Sequence, residues 1–261
     1  MLIGLGSCIM IRRAVITLIA GLSLAACATT SNSQAPGETF DGWAASIVAA
    51  DWTTSRGTPI QAFDNARRDL VAGFQDVGFA RSDMVDFTLR PDVPNPTSAD
   101  QALSAIGRNA EQATRGCFLY FTSHGSPRGI VFGPNRLLSP DEMARRIDGW
   151  CGTRPTVVIV SACFSGVFTD RLAAPNRMIM SAARRDRSSF GCSEDATYPY
   201  FDGCILESLP TAPNFLVLAD QAAQCVQRRE REEGLSPASE PQTLVGVDIA
   251  LLLSTIYAFR R

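Results

Sequence analysis

The sequence predicts an α/β fold with a mainly parallel sheet covered by helices on both faces. Three observations predict it. Strand-like and helix-like segments alternate along the chain. Two short runs, Cys117–Thr122 and Val157–Val160, are continuously apolar, as strands buried on both faces are. Three helix starts carry capping boxes, Thr58 with Gln61, Ser98 with Gln101 and Ser139 with Glu142.

The elements follow in order. Trp43–Ala50 reads as the first strand. Thr58-Pro59-Ile60-Gln61 reads as a helix start, with Thr58 as cap and Pro59 in the first turn. Phe63, Ala66, Leu70 and Phe74 form its apolar stripe, and Gly78 ends it. Met84–Leu89 is the second strand, and the helix capped by Ser98 follows. After Cys117–Thr122 come Ser123-His124-Gly125 and a hairpin turning near Gly133-Pro134-Asn135. The helix opened by Ser139 leads to Val157–Val160, which ends in Ser161-Ala162-Cys163. Arg177–Ser181 is a further strand, residues 184–204 are loop-rich, Phe215–Arg231 is helical, and Leu244–Ala250 is a late strand.

Composition narrows the function classes. The chain has 261 residues, 46% hydrophobic and 19% charged, which suits a packed globular protein. A formal net charge of −2 gives no basic field for nucleic acid. The N-terminus carries an export pattern: Met10 to Arg13 is basic, Ala14–Leu24 is apolar, and Leu24-Ala25-Ala26-Cys27 follows. The run is too short to span a membrane as a helix. Its tail resembles a bacterial lipobox, which implies cleavage before Cys27 and lipid on its sulfur. Residues 1–26 are then a lipoprotein signal peptide, 27–40 a flexible tether and 41–261 the folded domain. Ala28 after the lipidated cysteine points to the outer membrane, facing the periplasm.

The chain has eight cysteines and one histidine. With no Cys-x-x-Cys pair, no metal site and no cofactor is expected. An oxidising compartment makes disulfides the default for the six cysteines beyond the leader. Cys117 and Cys151 each precede a strand, at the end of the sheet opposite His124, and can pair if the two strands are neighbours. Cys192 and Cys204 flank a loop and can close it. Cys225 falls inside a helix and reads as buried or unpaired.

Cys163 remains. Sites on parallel sheets lie at the carboxyl ends of strands, where His124 and Cys163 both fall. A thiol must become a thiolate to attack a carbonyl, and an imidazole can take its proton. His124 is the one imidazole available. The backbone nitrogens of Gly125 and Cys163 can hold the oxyanion of a tetrahedral intermediate. The competing readings are a structural surface histidine and a structural cysteine.

Three segments carry a resemblance. They are Ser123-His124-Gly125 with Ala162-Cys163-Phe164-Ser165-Gly166, then Ser181-Ala182-Ala183 with Ser188-Ser189-Phe190-Gly191-Cys192, and the strand from Trp43 with the Asp64–Leu70 helix. Together they resemble the caspase-like clan of cysteine peptidases, and within it the legumain family, which also holds the catalytic subunit of the GPI-anchor transamidase. The resemblance implies a caspase-like three-layer α/β/α sandwich around a six-stranded, mainly parallel sheet. It implies a peptide or protein substrate, attack by Cys163 and protonation of the leaving amine by His124. Legumain-like enzymes prefer Asn or Asp before the scissile bond, and Arg56, Ser189 and Asp202 are the candidates for such a pocket. Ser161 departs from the acidic residue that legumains carry two positions before their cysteine. Transpeptidation through the same dyad, and a non-catalytic peptide-binding lipoprotein, are the alternative functions.

Overall fold

The structure is a computed structural model and describes residues 39–260. The expected signal peptide, Cys27 and nearly all of the tether lie outside the described residues.

Six strands form the main sheet: β1 (Trp43–Ala49), β2 (Met84–Thr88), β3 (Gly116–Thr122), β7 (Thr156–Ser161), β8 (Arg177–Ser181) and β9 (Gln242–Val245). Their order is β2-β1-β3-β7-β8-β9. All neighbours pair in parallel except β8 with β9, which are antiparallel. Three short strands, β4 (Gly125–Ser126), β5 (Gly129–Val131) and β6 (Leu137–Leu138), form a separate antiparallel sheet that contains the expected hairpin.

Side chains alternate across the main sheet, so each strand feeds two cores. Phe118 and Tyr120 of β3, with Val157 and Ile159 of β7, join one cluster. Cys117, Leu119 and Phe121, with Val158 and Val160, join the other. The first core is closed by α1 (Ala62–Asp76), α5 (Tyr200–Ser208), α6 (Phe215–Glu232) and α7 (Val247–Thr255). The second is closed by α2 (Ala99–Gln112), α3 (Pro140–Cys151) and α4 (Gly166–Thr169). Every residue of β3 and β7 is buried, which is why their sequences show no polar alternation.

Local signals meet the structure unevenly. Ser98 and Gln101 form both bonds of a capping box. Ser139 caps α3 by accepting from Glu142 N at 3.2 Å, but the Glu142 carboxylate turns to Arg136 and Arg146 instead of closing the box. The Thr58–Gln61 start is corrected: α1 begins at Ala62, after Gln61, without a side-chain cap. Pro59 instead bridges Thr53, and the Ile60 amide donates to Trp52 O, folding this segment back on residues 52–54.

Two further expectations are corrected. Leu244–Ala250 is not one strand. Its apolar run is split at Gly246, where a Cβ would stand 2.3 Å from Ala174 O and Pro175 O, and the chain continues as α7. Such short apolar runs do not distinguish strand from helix by pattern. Residues 200–204, expected to be loop, begin α5.

The cysteine pairing is half as expected. Cys117–Cys151 is a disulfide. The Cys192–Cys204 bridge is not formed, because Cys204 lies on α5, buried toward α6, and bonds Cys225 there. Cys225 is thus buried in a helix but paired. Cys163 and Cys192 are the free cysteines among the described residues.

Candidate active site

The register of β3 and β7 sets the site. Thr122 pairs with Ser161, and Ser123 N donates to Ser161 O at 3.0 Å. His124 and Cys163 each stand two positions beyond that last pair, at the carboxyl ends of adjacent parallel strands. Both line one cleft of about 790 Å³, within the size range of small-ligand and peptide sites.

The His124 backbone is pinned by the small sheet. Ser123 Oγ donates to Val131 O at 2.7 Å, and Val131 N donates to His124 O at 2.9 Å. The ring stands edge-on to buried Phe63, with centroids 5.2 Å apart and planes at 80°. Its Nε2 lies 2.8 Å from Thr53 O. A carbonyl accepts only, so Nε2 carries the proton and Nδ1 is the basic nitrogen.

A tight turn holds Cys163. Phe164 takes φ +58, an uncommon left-handed conformation for an aromatic residue. Its amide donates to Arg187 O at 2.8 Å, and Gly166 N donates to Ala183 O at 2.8 Å. Ser165 Oγ accepts from Ala183 N at 3.2 Å. At Gly166 a Cβ would meet Arg185 N at 2.5 Å, so the turn needs glycine. The Cys163 Sγ accepts from Ser189 N at 3.2 Å and lies 3.4 Å from Ser189 O.

Gly125 and Cys163 meet backbone to backbone, since a Cβ on Gly125 would fall 2.1 Å from Cys163 O. The amides of Phe164 and Ser165 are engaged, whereas among the described residues the Cys163 amide meets no acceptor. These are the two nitrogens the sequence singles out for an oxyanion.

The three expected substrate-binding residues separate. Arg56 and Ser189 line the cleft. Among the described residues no carboxylate pairs with Arg56, so its charge is available there. Asp202 does not line the cleft. It is fully buried at the start of α5, where its carboxylate accepts from Tyr120 Oη and Thr122 Oγ1. Burial pushes its carboxyl up to about 6, against the opposing effect of these bonds. Asp202 therefore ties α5 to β3, the strand that leads to His124.

Sequence reasoning missed Thr53, which contributes only its carbonyl; a backbone acceptor carries no side-chain signal. It also assigned Cys192 to a bridge, whereas this thiol lines the cleft.

The model of the Peptidase C13 family matches residues 109–208, a stretch that contains His124, Cys163, Cys192 and Asp202. No curated protein matches the chain. Among solved structures, caspase-1 from Spodoptera frugiperda is similar with a TM-score of 0.57 and 14% identity, over 78% of this chain and 86% of that one. The fold is the caspase-like α/β sandwich.

Proposed function

We propose that this chain is a cysteine endopeptidase of legumain type, with Cys163 as nucleophile and His124 as base. The observation that carries this reading is the pair's placement. The chain's one histidine and one of its two free described thiols close adjacent parallel strands and line one cleft. The Peptidase C13 match over this stretch and the caspase-like fold support a cysteine peptidase.

The chemistry follows from the geometry. Thr53 O fixes the ring so that Nδ1 takes the Cys163 proton. Ser189 N donates to the Cys163 sulfur, which, once deprotonated, attacks a peptide carbonyl. The amides of Cys163 and Gly125 receive the oxyanion. Nδ1–H then protonates the leaving amine, and water attacks the thioester to release the acid. Arg56, with Ser189, suits an Asn or Asp side chain before the scissile bond, since a guanidinium and hydrogen-bonding groups recognise carboxylates and amides. Export and a lipid anchor at Cys27 are part of the proposal. The leader pattern supports them, as do two disulfides, which persist in oxidising compartments.

The test is a peptidyl electrophile with Asn or Asp next to the reactive carbonyl. It is expected to label the protein at Cys163, and Cys163→Ala to abolish labelling. Labelling that survives at another cysteine overturns the assignment. A product joined to an added amine, in place of free acid, moves the reading to transpeptidation.

A further inference from the structure

We propose that Cys163 and Cys192 form a reversible disulfide that shuts the cleft under oxidising conditions. The bridge goes beyond the peptidase reading and rests on it only in treating Cys163 as the reactive thiol.

Four of the described cysteines are already paired in two bridges, and the two left free line the same cleft. Ser189 connects them. Its amide lies 3.2 Å from Cys163 Sγ, and Cys192 follows three residues later. Cys192 packs against the small cluster of Ala49, Ile60, Ala62 and Phe63, and Phe63 in turn stands edge-on to His124. Cys163, Ser189, Cys192 and His124 thus line one cleft, with Phe63 buried behind Cys192 and His124. A disulfide needs the two Cα atoms within about 7 Å. The residues from 187 to 199 form neither helix nor strand, so no ladder has to break for Cys192 to approach.

The two sulfurs have unequal roles. Burial, then the neighbouring Cys163, Asp202 and Asp51, push the Cys192 thiol well up, so Cys192 stays protonated. Cys163, the proposed nucleophile, is the sulfur that an oxidant meets in the cleft. With hydrogen peroxide, its S–O bond forms as the O–O bond breaks, giving sulfenic acid and, with the thiol's proton, water. The Cys192 thiol then passes its proton to the sulfenic hydroxyl as its sulfur attacks: S–S forms, S–O breaks, and the hydroxyl leaves as water. A dithiol reverses the bridge by two exchange steps.

The experiment treats the folded chain with hydrogen peroxide and maps thiols by peptide mass without reduction. The expected result is one cross-linked species joining the Cys163 and Cys192 peptides, two hydrogens lighter than their sum. Iodoacetamide labelling of Cys163 is lost in parallel and returns with dithiothreitol. In Cys192→Ala and Cys192→Ser, oxidation is expected to proceed to a sulfinate that dithiothreitol does not restore. A Cys192 that remains alkylatable after oxidation overturns the proposal, as does equal recovery of Cys163 in the variants. The readout is sulfur mass. A chain that bridges but cleaves no peptide refutes only the peptidase reading, and one that cleaves but never bridges refutes only the switch.

Discussion

At its amino end, the β3–β7 region is closed by a covalent bond, Cys117–Cys151; at their carboxyl ends the same two strands leave a thiol and an imidazole unbonded at a cleft. Both ends bring a cysteine beside a neighbouring strand, yet only one pair is spent on structure. The difference lies in the surroundings. Cys117 and Cys151 are fully buried among apolar side chains of the α2–α3 core. Cys163 sits on a strained turn whose sulfur meets polar backbone and open space. The comparison teaches that in this fold a cysteine's role follows from which end of the strand it occupies.

The largest expected effect breaks the carboxyl end. Cys163→Ala should lower peptide hydrolysis by roughly 10⁴-fold or more, since the proposed nucleophile is lost. His124→Ala should cost roughly 10²–10⁴-fold. Steady-state kinetics checks both, and neither variant should shift the thermal midpoint much.

The amino end should respond the opposite way. Removing the bridge with Cys117→Ala and Cys151→Ala together opens a loop of sequence separation 34 and should cost about 2–4 kcal/mol of stability. Denaturant titration measures this. Labelling of Cys163 in the folded variant should stay unchanged; a fall would show that the two ends are coupled.

Asp202 sharpens the comparison, because it is a buried acid beneath the carboxyl end. Its folded carboxyl is raised from 3.8 to about 6, so the folded state holds this proton more tightly than the unfolded one. Stability from this group is therefore highest below about pH 4 and falls as pH rises to about 6, at up to about 1.4 kcal/mol per pH unit. Thermal melts across that range should show the fall, and Asp202→Asn should remove it. An unchanged slope would assign the titration to another group.

The smallest effect is a control away from both ends' chemistry. Ser98→Ala removes the α2 cap and should cost about 1 kcal/mol, measured by the same titration, with Cys163 labelling untouched.

The sequence by itself determined the two buried strands, the Ser98 box and the location of His124 and Cys163 at strand ends. It did so because burial on both faces removes polar alternation, and because one histidine leaves one imidazole to use. It also offered the Cys117–Cys151 pairing on condition that the two strands are neighbours, a condition that only the β3–β7 register met. Only the tertiary structure decided the rest. Cys204 found Cys225 because α5 packs on α6, a helix-to-helix relation that no spacing records. Asp202 went under the sheet to Tyr120 and Thr122 instead of into the cleft. Thr53 came to orient His124 through its carbonyl, a group that every residue carries. Side-chain pattern reports which residues leave water. It does not report which backbone atom or which helix face lies opposite them, and in this cleft those are what set the imidazole's tautomer and left Cys192 free.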